Sequence, residues 1–242
     1  MNTFLFAIQF LTRFPVSVKA DLTAETLGHS VLFYPFVGAI IGAFLWLLAS
    51  KATTVDPMVL AALVLTLWVG ITGGLHLDGL ADCTDGWIGG QGDIDKTLTI
   101  MKDPNAGPMA VITLVLLLLL KFSAIYALIK SGFLIILLLA PIMGRAIVPA
   151  LMISAPYIRK GGLGQSMVDN LPKNMALTVI GFVLLVSVVA GGFFLTIWIV
   201  LFGLLLRKLF LSVFGDFTGD LYGAAIELTE LSVLLGAVCL AF

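Results

Sequence analysis

The chain has 242 residues, 60% hydrophobic and 11% charged, against the roughly 25% charged fraction of an ordinary soluble domain. That balance excludes a water-soluble globule and makes a bilayer the solvent. A formal net charge of −1 without any basic run excludes nucleic acid as a partner, and two cysteines, Cys83 and Cys239, provide neither a disulfide framework nor a thiolate metal site.

Along the chain, the N-terminus lacks a basic stretch followed by a small-residue cleavage site, so no removable signal peptide is expected. Residues 3–14 are apolar but too short to cross a bilayer, and predict an interfacial helix stopped by Pro15. Apolar runs suited to membrane helices follow at 31–50, 57–75, 107–129, 132–154, 175–206 and 221–242. The fifth is too long for one crossing of a hydrocarbon core of about 30 Å, and Gly191-Gly192 at its middle offers a hinge. Either two short spans or one long tilted span fits this run.

Charge placement favours two. With two spans there, Arg13, Lys19, Lys96, Lys102, Arg159, Lys160, Lys173, Arg207 and Lys208 share a side, leaving Lys51 and Lys130 opposite. The positive-inside tendency then puts the N-terminus and the 76–106, 155–174 and 207–220 segments in the cytoplasm. The expectation is an all-α, polytopic bundle of seven spans plus the interfacial helix, forming one integral unit over 1–242.

The segment after the second run carries the chemistry. Gly74-Leu75-His76-Leu77-Asp78-Gly79-Leu80-Ala81-Asp82-Cys83-Thr84-Asp85-Gly86 places three acids in eight residues. If the backbone is helical, Asp78, Asp82 and Asp85 stand at i, i+4 and i+7, within about 60° of one face. Converging like charges near a membrane call for a cation, and hard oxygen ligands suit Mg²⁺ or Mn²⁺, which in turn bind phosphate oxygens. The other reading is a solvated cytoplasmic loop. His76 points roughly 160° away from Asp78 on such a helix, and serves either as an interfacial hydrogen-bonding residue or as a general base or substrate contact.

Between the acidic regions, Asp103 in Lys102-Asp103-Pro104 either caps the next helix or serves the site. Arg145, inside a span, offers a guanidinium fork for phosphate or simply neutralises an acid. A second acidic stripe comprises Asp216, Asp220, Glu227 and Glu230. Glu227 and Glu230 lie in an apolar segment and need partners, the candidates being a divalent ion, Arg145, Lys121 or threonine hydroxyls. Gly161 to Gly164 provide either close backbone approach to a substrate or a flexible turn.

Together these motifs resemble the cobalamin synthase family, the adenosylcobinamide-GDP ribazoletransferases. Gly74 to Asp82 with Asp85-Gly86, Ile100-Met101-Lys102-Asp103-Pro104, Gly161-Gly162-Leu163-Gly164, and Thr218-Gly219-Asp220 with Gly223 to Glu230 fall in family order over nearly the whole chain. The Tyr34-Pro35-Phe36-Val37-Gly38 stretch is similar to the family's first span. Cys83 departs from the family's usual threonine, and Phe214 to Phe217 is a looser lead-in to the last motif.

The resemblance implies a Mg²⁺-dependent transfer in the inner membrane. A ribose hydroxyl of α-ribazole, or of its 5′-phosphate, attacks the cobinamide-side phosphorus of adenosylcobinamide-GDP and GMP leaves. It implies Asp78, Asp82, Asp85, Asp220, Glu227 and Glu230 as metal ligands and His76, Asp82, Asp85, Asp103 and Glu227 as catalytic. Lys102, Arg145, Gly162, Gly164 and Thr218 are the implied substrate contacts. Other cobalamin-assembly enzymes and a second copy of the chain are partners that the sequence leaves open. A lipid-forming CDP-alcohol phosphotransferase fits less well, because Asp82 stands where that family's motif has arginine. A divalent-cation transporter would place acids at mid-membrane and often shows an inverted repeat, which is not visible here. A scaffold would tolerate loss of the aspartates.

Overall fold

The computed structural model describes residues 2–17, 23–157 and 161–241. Lys19, Arg159 and Lys160, three of the nine positive charges counted above, lie outside the described residues.

The chain opens with a short helix, α1 (Asn2–Leu11), ended ahead of Pro15 as expected. Thr23 then caps α2 (Ala24–Ser30) by accepting from the Thr26 N–H, and a 3₁₀ turn, Val31–Phe33, joins it to α3 (Tyr34–Lys51). The first apolar helix therefore begins seven residues before the hydropathy run, because a side-chain cap, not apolarity, sets its start.

Asp56 caps α4 (Pro57–Thr72), which is followed by α5 (Leu75–Gly90). At 16 residues α4 is about 24 Å long, short of a full crossing. Only together with α5, at an 87° bend, does it qualify as a broken or re-entrant span. Gly73 and Gly74 make the bend, with φ of +64° and +73° that side-chain-bearing residues rarely adopt. The Arg13 side chain also packs against Gly73, and the Arg13 N–H donates to the Ile71 carbonyl (2.7 Å).

Next come α6 (Ile94–Ile100), α7 (Pro108–Ser131), α8 (Ile135–Ser154) and α9 (Leu163–Asp169). The 175–206 run is two helices, α10 (Lys173–Gly191) and α11 (Phe193–Phe214), broken at Gly192 with φ +89°. The last helix is α12 (Gly219–Ala241). Among the described residues six helices are long and apolar enough to cross a bilayer, or seven if the bent pair counts as one span, so the protein is an all-α multi-pass membrane bundle. Among the described residues there is no strand, only a lone parallel bridge between Tyr157 and Phe217.

The centre of the bundle is α8 and α12, each 72% buried over its best membrane window, while α10 is 17% buried and α7 and α11 are each 28% buried and present their apolar surface outward. With lipid tails as apolar as leucine, close van der Waals fit must hold such helices together. Gly38 and Gly42, four apart on α3, supply it: a methyl group on either would lie 2.4 Å from the Pro141 carbonyl oxygen or 2.6 Å from that of Leu138.

Candidate active site

The two acidic motifs meet because α5 packs on the start of α12. A Cβ on Gly79 would lie 2.8 Å from the Asp220 carbonyl oxygen, and one on Gly223 3.3 Å from His76 Cα. Thr218, buried, sets where α12 begins: its hydroxyl accepts from the Leu221 N–H (3.3 Å). Thr218, expected as a substrate contact, is 0% exposed and is not part of the wall of the cavity that these elements enclose. The Phe217 N–H donates to the Pro156 carbonyl (3.1 Å), which ties the end of α8 to the same place.

These elements enclose a cavity of about 300 Å³. Asp78, exposed, and Asp220, half-buried, lie on its wall with His76, Gly79, Gly219 and Gly223. Leu163 and Gly164 of α9 close one side, and Gly164 touches the Tyr157 ring so closely that a side chain would not fit. The remainder is aromatic and aliphatic, including Phe10, Tyr34, Tyr157, Tyr222 and Met167. These residues were missed from sequence because single aromatics scattered over α1, α3 and α12 look like lipid-facing positions.

α5 is helical over all three of its aspartates, so Asp78 and Asp82 stand one turn apart on one face. Asp85 has a different task. Its carboxylate accepts from the N–H of Gly107 (2.5 Å) and of Ala110 (2.9 Å), the N-cap and N3 positions of α7. A capping box would normally satisfy these two donors from within the helix, but glycine and alanine have no acceptor there. Asp85 supplies both bonds from another helix, at the positive end of the α7 dipole. Asp85→Ala is therefore expected to destabilise the folded protein by about 1–2 kcal/mol, read as a lower midpoint of thermal unfolding in detergent, and unchanged stability would contradict this role.

Asp103 does not cap α7. It is exposed, and its Oδ1 accepts from the Asn105 backbone N–H (2.9 Å) and side-chain amide (2.7 Å). These two bonds hold its carboxyl below the ordinary value and close the turn around Pro104, three residues before the cap position, out of reach of the α7 N–H groups. Lys102 is exposed on the same turn and Gly162 is exposed at the N-cap of α9; neither lines the cavity.

Deeper along α12, Glu227 and Glu230 are 4% and 0% exposed. Lys121 of α7 donates to both, at 2.6 Å each, and Arg145 of α8 donates to Glu230 through Nη1. Lys121 also lies over the Trp68 ring, 4.6 Å from its centroid. Of the two readings of Arg145, the structure bears out neutralisation: the guanidinium is fully buried and turned to Glu230 rather than to the cavity. Two cations against two acids make this a quartet of zero formal charge, in which Arg145 Nε and Nη2 have no hydrogen-bond partner among the described residues.

Among the described residues no group of three or more histidine, cysteine or acidic side chains is gathered for a metal, so the six acids singled out from sequence do not form one cage. The donor set fits a magnesium ion of another kind. Mg²⁺ commonly takes one or two carboxylates and completes its shell with substrate phosphate and water; Asp78 on the cavity wall, with Asp82 one helical turn further along α5, would provide such a pair.

A multi-pass helical bundle with a carboxylate-mouthed, aromatic-walled cavity at one end has the architecture of a membrane enzyme. The cobalamin-5-phosphate synthase family model matches residues 3–238, and the chain belongs to that family of transferases of cobalamin synthesis. It is 47% identical over 240 residues to the adenosylcobinamide-GDP ribazoletransferase of Pseudomonas fluorescens, covering 98% of each chain. It is 47% identical over 238 residues to that of Pseudomonas aeruginosa, 97% of each. With the Acinetobacter baumannii enzyme it shares 45% identity over 232 residues, 95% of this chain and 94% of that one. No solved structure matches.

Proposed function

We propose that the chain is an adenosylcobinamide-GDP ribazoletransferase. It joins adenosylcobinamide-GDP to α-ribazole, or its 5′-phosphate, and releases adenosylcobalamin, or its 5′-phosphate, and GMP. The observation that carries this is the meeting of Asp78 and Asp220, from motifs far apart in sequence, on one cavity wall in a chain that matches ribazoletransferases along nearly its whole length.

In the transfer, a ribose hydroxyl oxygen of the acceptor forms a bond to the corrinoid-side phosphorus, and the bond from that phosphorus to the bridging oxygen of the diphosphate breaks. A carboxylate at the mouth takes the hydroxyl proton, and GMP leaves carrying the bridging oxygen. Asp78 and Asp82 would hold a magnesium ion, which would supply charge neutralisation where negative charge grows on the leaving phosphate. Asp220 orients the acceptor hydroxyl from the facing helix. The neutral quartet of Lys121, Arg145, Glu227 and Glu230 fixes the register of α7, α8 and α12, and through α12 the position of Asp220. The positive-inside tendency of the sequence supports a cytoplasmic position for this end of the bundle and for the N-terminus at the inner membrane.

Purified protein in lipid nanodiscs, given adenosylcobinamide-GDP, α-ribazole and Mg²⁺, is expected to form the joined corrinoid and GMP in equal amounts, and EDTA is expected to stop both. Absence of product from folded, metal-supplied protein rejects the assignment, as does GMP release without a joined corrinoid.

A further inference from the structure

The cavity changes character with depth. At its mouth stand Asp78, exposed, and Asp220, half-buried. At depth Tyr34, His76, Tyr222 and Ile226 are 2%, 3%, 5% and 2% exposed. Two buried polar atoms there, Tyr222 Oη and His76 Nδ1, have no hydrogen-bond partner among the described residues. Leaving such a group unpaired costs roughly 1–3 kcal/mol, so two on one cavity wall point to a ligand that completes them. The Tyr222 ring is fixed by near-parallel stacking with Phe217 (5.4 Å between centroids, 19°) and Tyr157 (6.1 Å, 13°), so its hydroxyl is held in one direction. At about 300 Å³ the cavity stands at the lower end of small-ligand sites, enough for a nucleoside and far too little for a corrin ring.

We propose that the acceptor nucleoside enters this cavity base first, with the Tyr222 hydroxyl donating to the base's free ring nitrogen and His76 Nδ1 bonding the ribose. The inference rests on the ribazoletransferase reading and assigns that reaction's smaller substrate to a place. The base of α-ribazole is a flat benzimidazole. Glycosylation of one nitrogen leaves the other with a lone pair and no hydrogen, an acceptor that suits a phenol donor. The ring faces suit an aromatic wall. The ribose then lies toward the mouth, where its hydroxyl meets Asp220 and the corrinoid diphosphate arriving from outside. Tyr222 is thus a specificity-determining residue for the base.

The test compares α-ribazole with the indole riboside, which has C–H where the benzimidazole has its free nitrogen, in wild-type protein and Tyr222→Phe. Wild type is expected to favour α-ribazole by about tenfold or more in kcat/KM, the effect of one hydrogen bond. In Tyr222→Phe the KM for α-ribazole is expected to rise about tenfold and the preference between the two nucleosides to vanish, while the KM for adenosylcobinamide-GDP stays within about twofold. Loss of the stack alone would not erase a preference for one ring atom. Wild-type protein that uses both nucleosides equally overturns the proposal without any variant, and so does a Phe variant that retains the preference. In either of these cases the transfer itself still proceeds and the ribazoletransferase reading stands. Wild-type protein that forms no product with either nucleoside overturns that reading and the inference with it.

Discussion

Asp78→Asn is expected to lower kcat of the transfer by about two to three orders of magnitude, the usual loss when one group aimed at developing charge is removed. The substitution keeps size and hydrogen-bonding capacity but removes the negative charge that binds the metal–diphosphate. Asp78 is exposed at the cavity mouth, so the fold is expected to survive: helical circular dichroism and the unfolding midpoint should match wild type. The readout is the initial rate of joined corrinoid and GMP at saturating substrates. A rate within a few-fold of wild type would mean that the chemistry lies elsewhere in the molecule.

Lys121→Met is expected to act on stability instead. Lys121 is 3% exposed and lies between Glu227 and Glu230. Methionine fills much of the same volume but leaves two acids facing only Arg145. Breaking a buried pair by removing one partner costs about 3–5 kcal/mol, because an uncompensated charge stays behind. That is a large share of the 5–15 kcal/mol by which folded domains are stable, and the variant is expected to accumulate poorly in membranes and to unfold many degrees lower. Adding Glu227→Gln restores charge balance, so the double variant is expected to recover most of the lost midpoint. If Lys121→Met alone is as stable as wild type, or if Glu227→Gln rescues nothing, net charge is not what holds the quartet together.

Much of the membrane topology was legible in the residues. Hydropathy located the apolar helices, since about 20 apolar residues have few other uses. Parity and charge split the 175–206 run at the glycine pair where α10 gives way to α11. The helical spacing of Asp78, Asp82 and Asp85 held, and Lys121 and Arg145 stood among the candidate partners of Glu227 and Glu230, beside a divalent ion and threonine hydroxyls, because an acid in an apolar segment must be neutralised.

The same spacing did not reveal that Asp85 turns to the N-terminus of α7. Its acceptors of choice are backbone N–H groups, which leave no side-chain signature. A signal was nonetheless present: Gly107 and Ala110 leave both capping-box positions of a long helix empty, so an acceptor had to come from elsewhere. The 87° bend between α4 and α5 was equally unreadable, because two left-handed glycines say that the chain turns without saying where it goes. The aromatic depth of the cavity is assembled from distant elements and exists only once α1, α3, α9 and α12 are packed.

In this account α5 and α12 build one site. The measurement that tests it most directly is kcat for Asp78→Asn, Asp220→Asn and the double variant, assayed side by side. Groups that act as a unit are grossly non-additive, so the double variant is expected to be no more than a few-fold slower than the slower single one. Losses that multiply would mean that the two carboxylates act independently of one another, and would contradict a shared site.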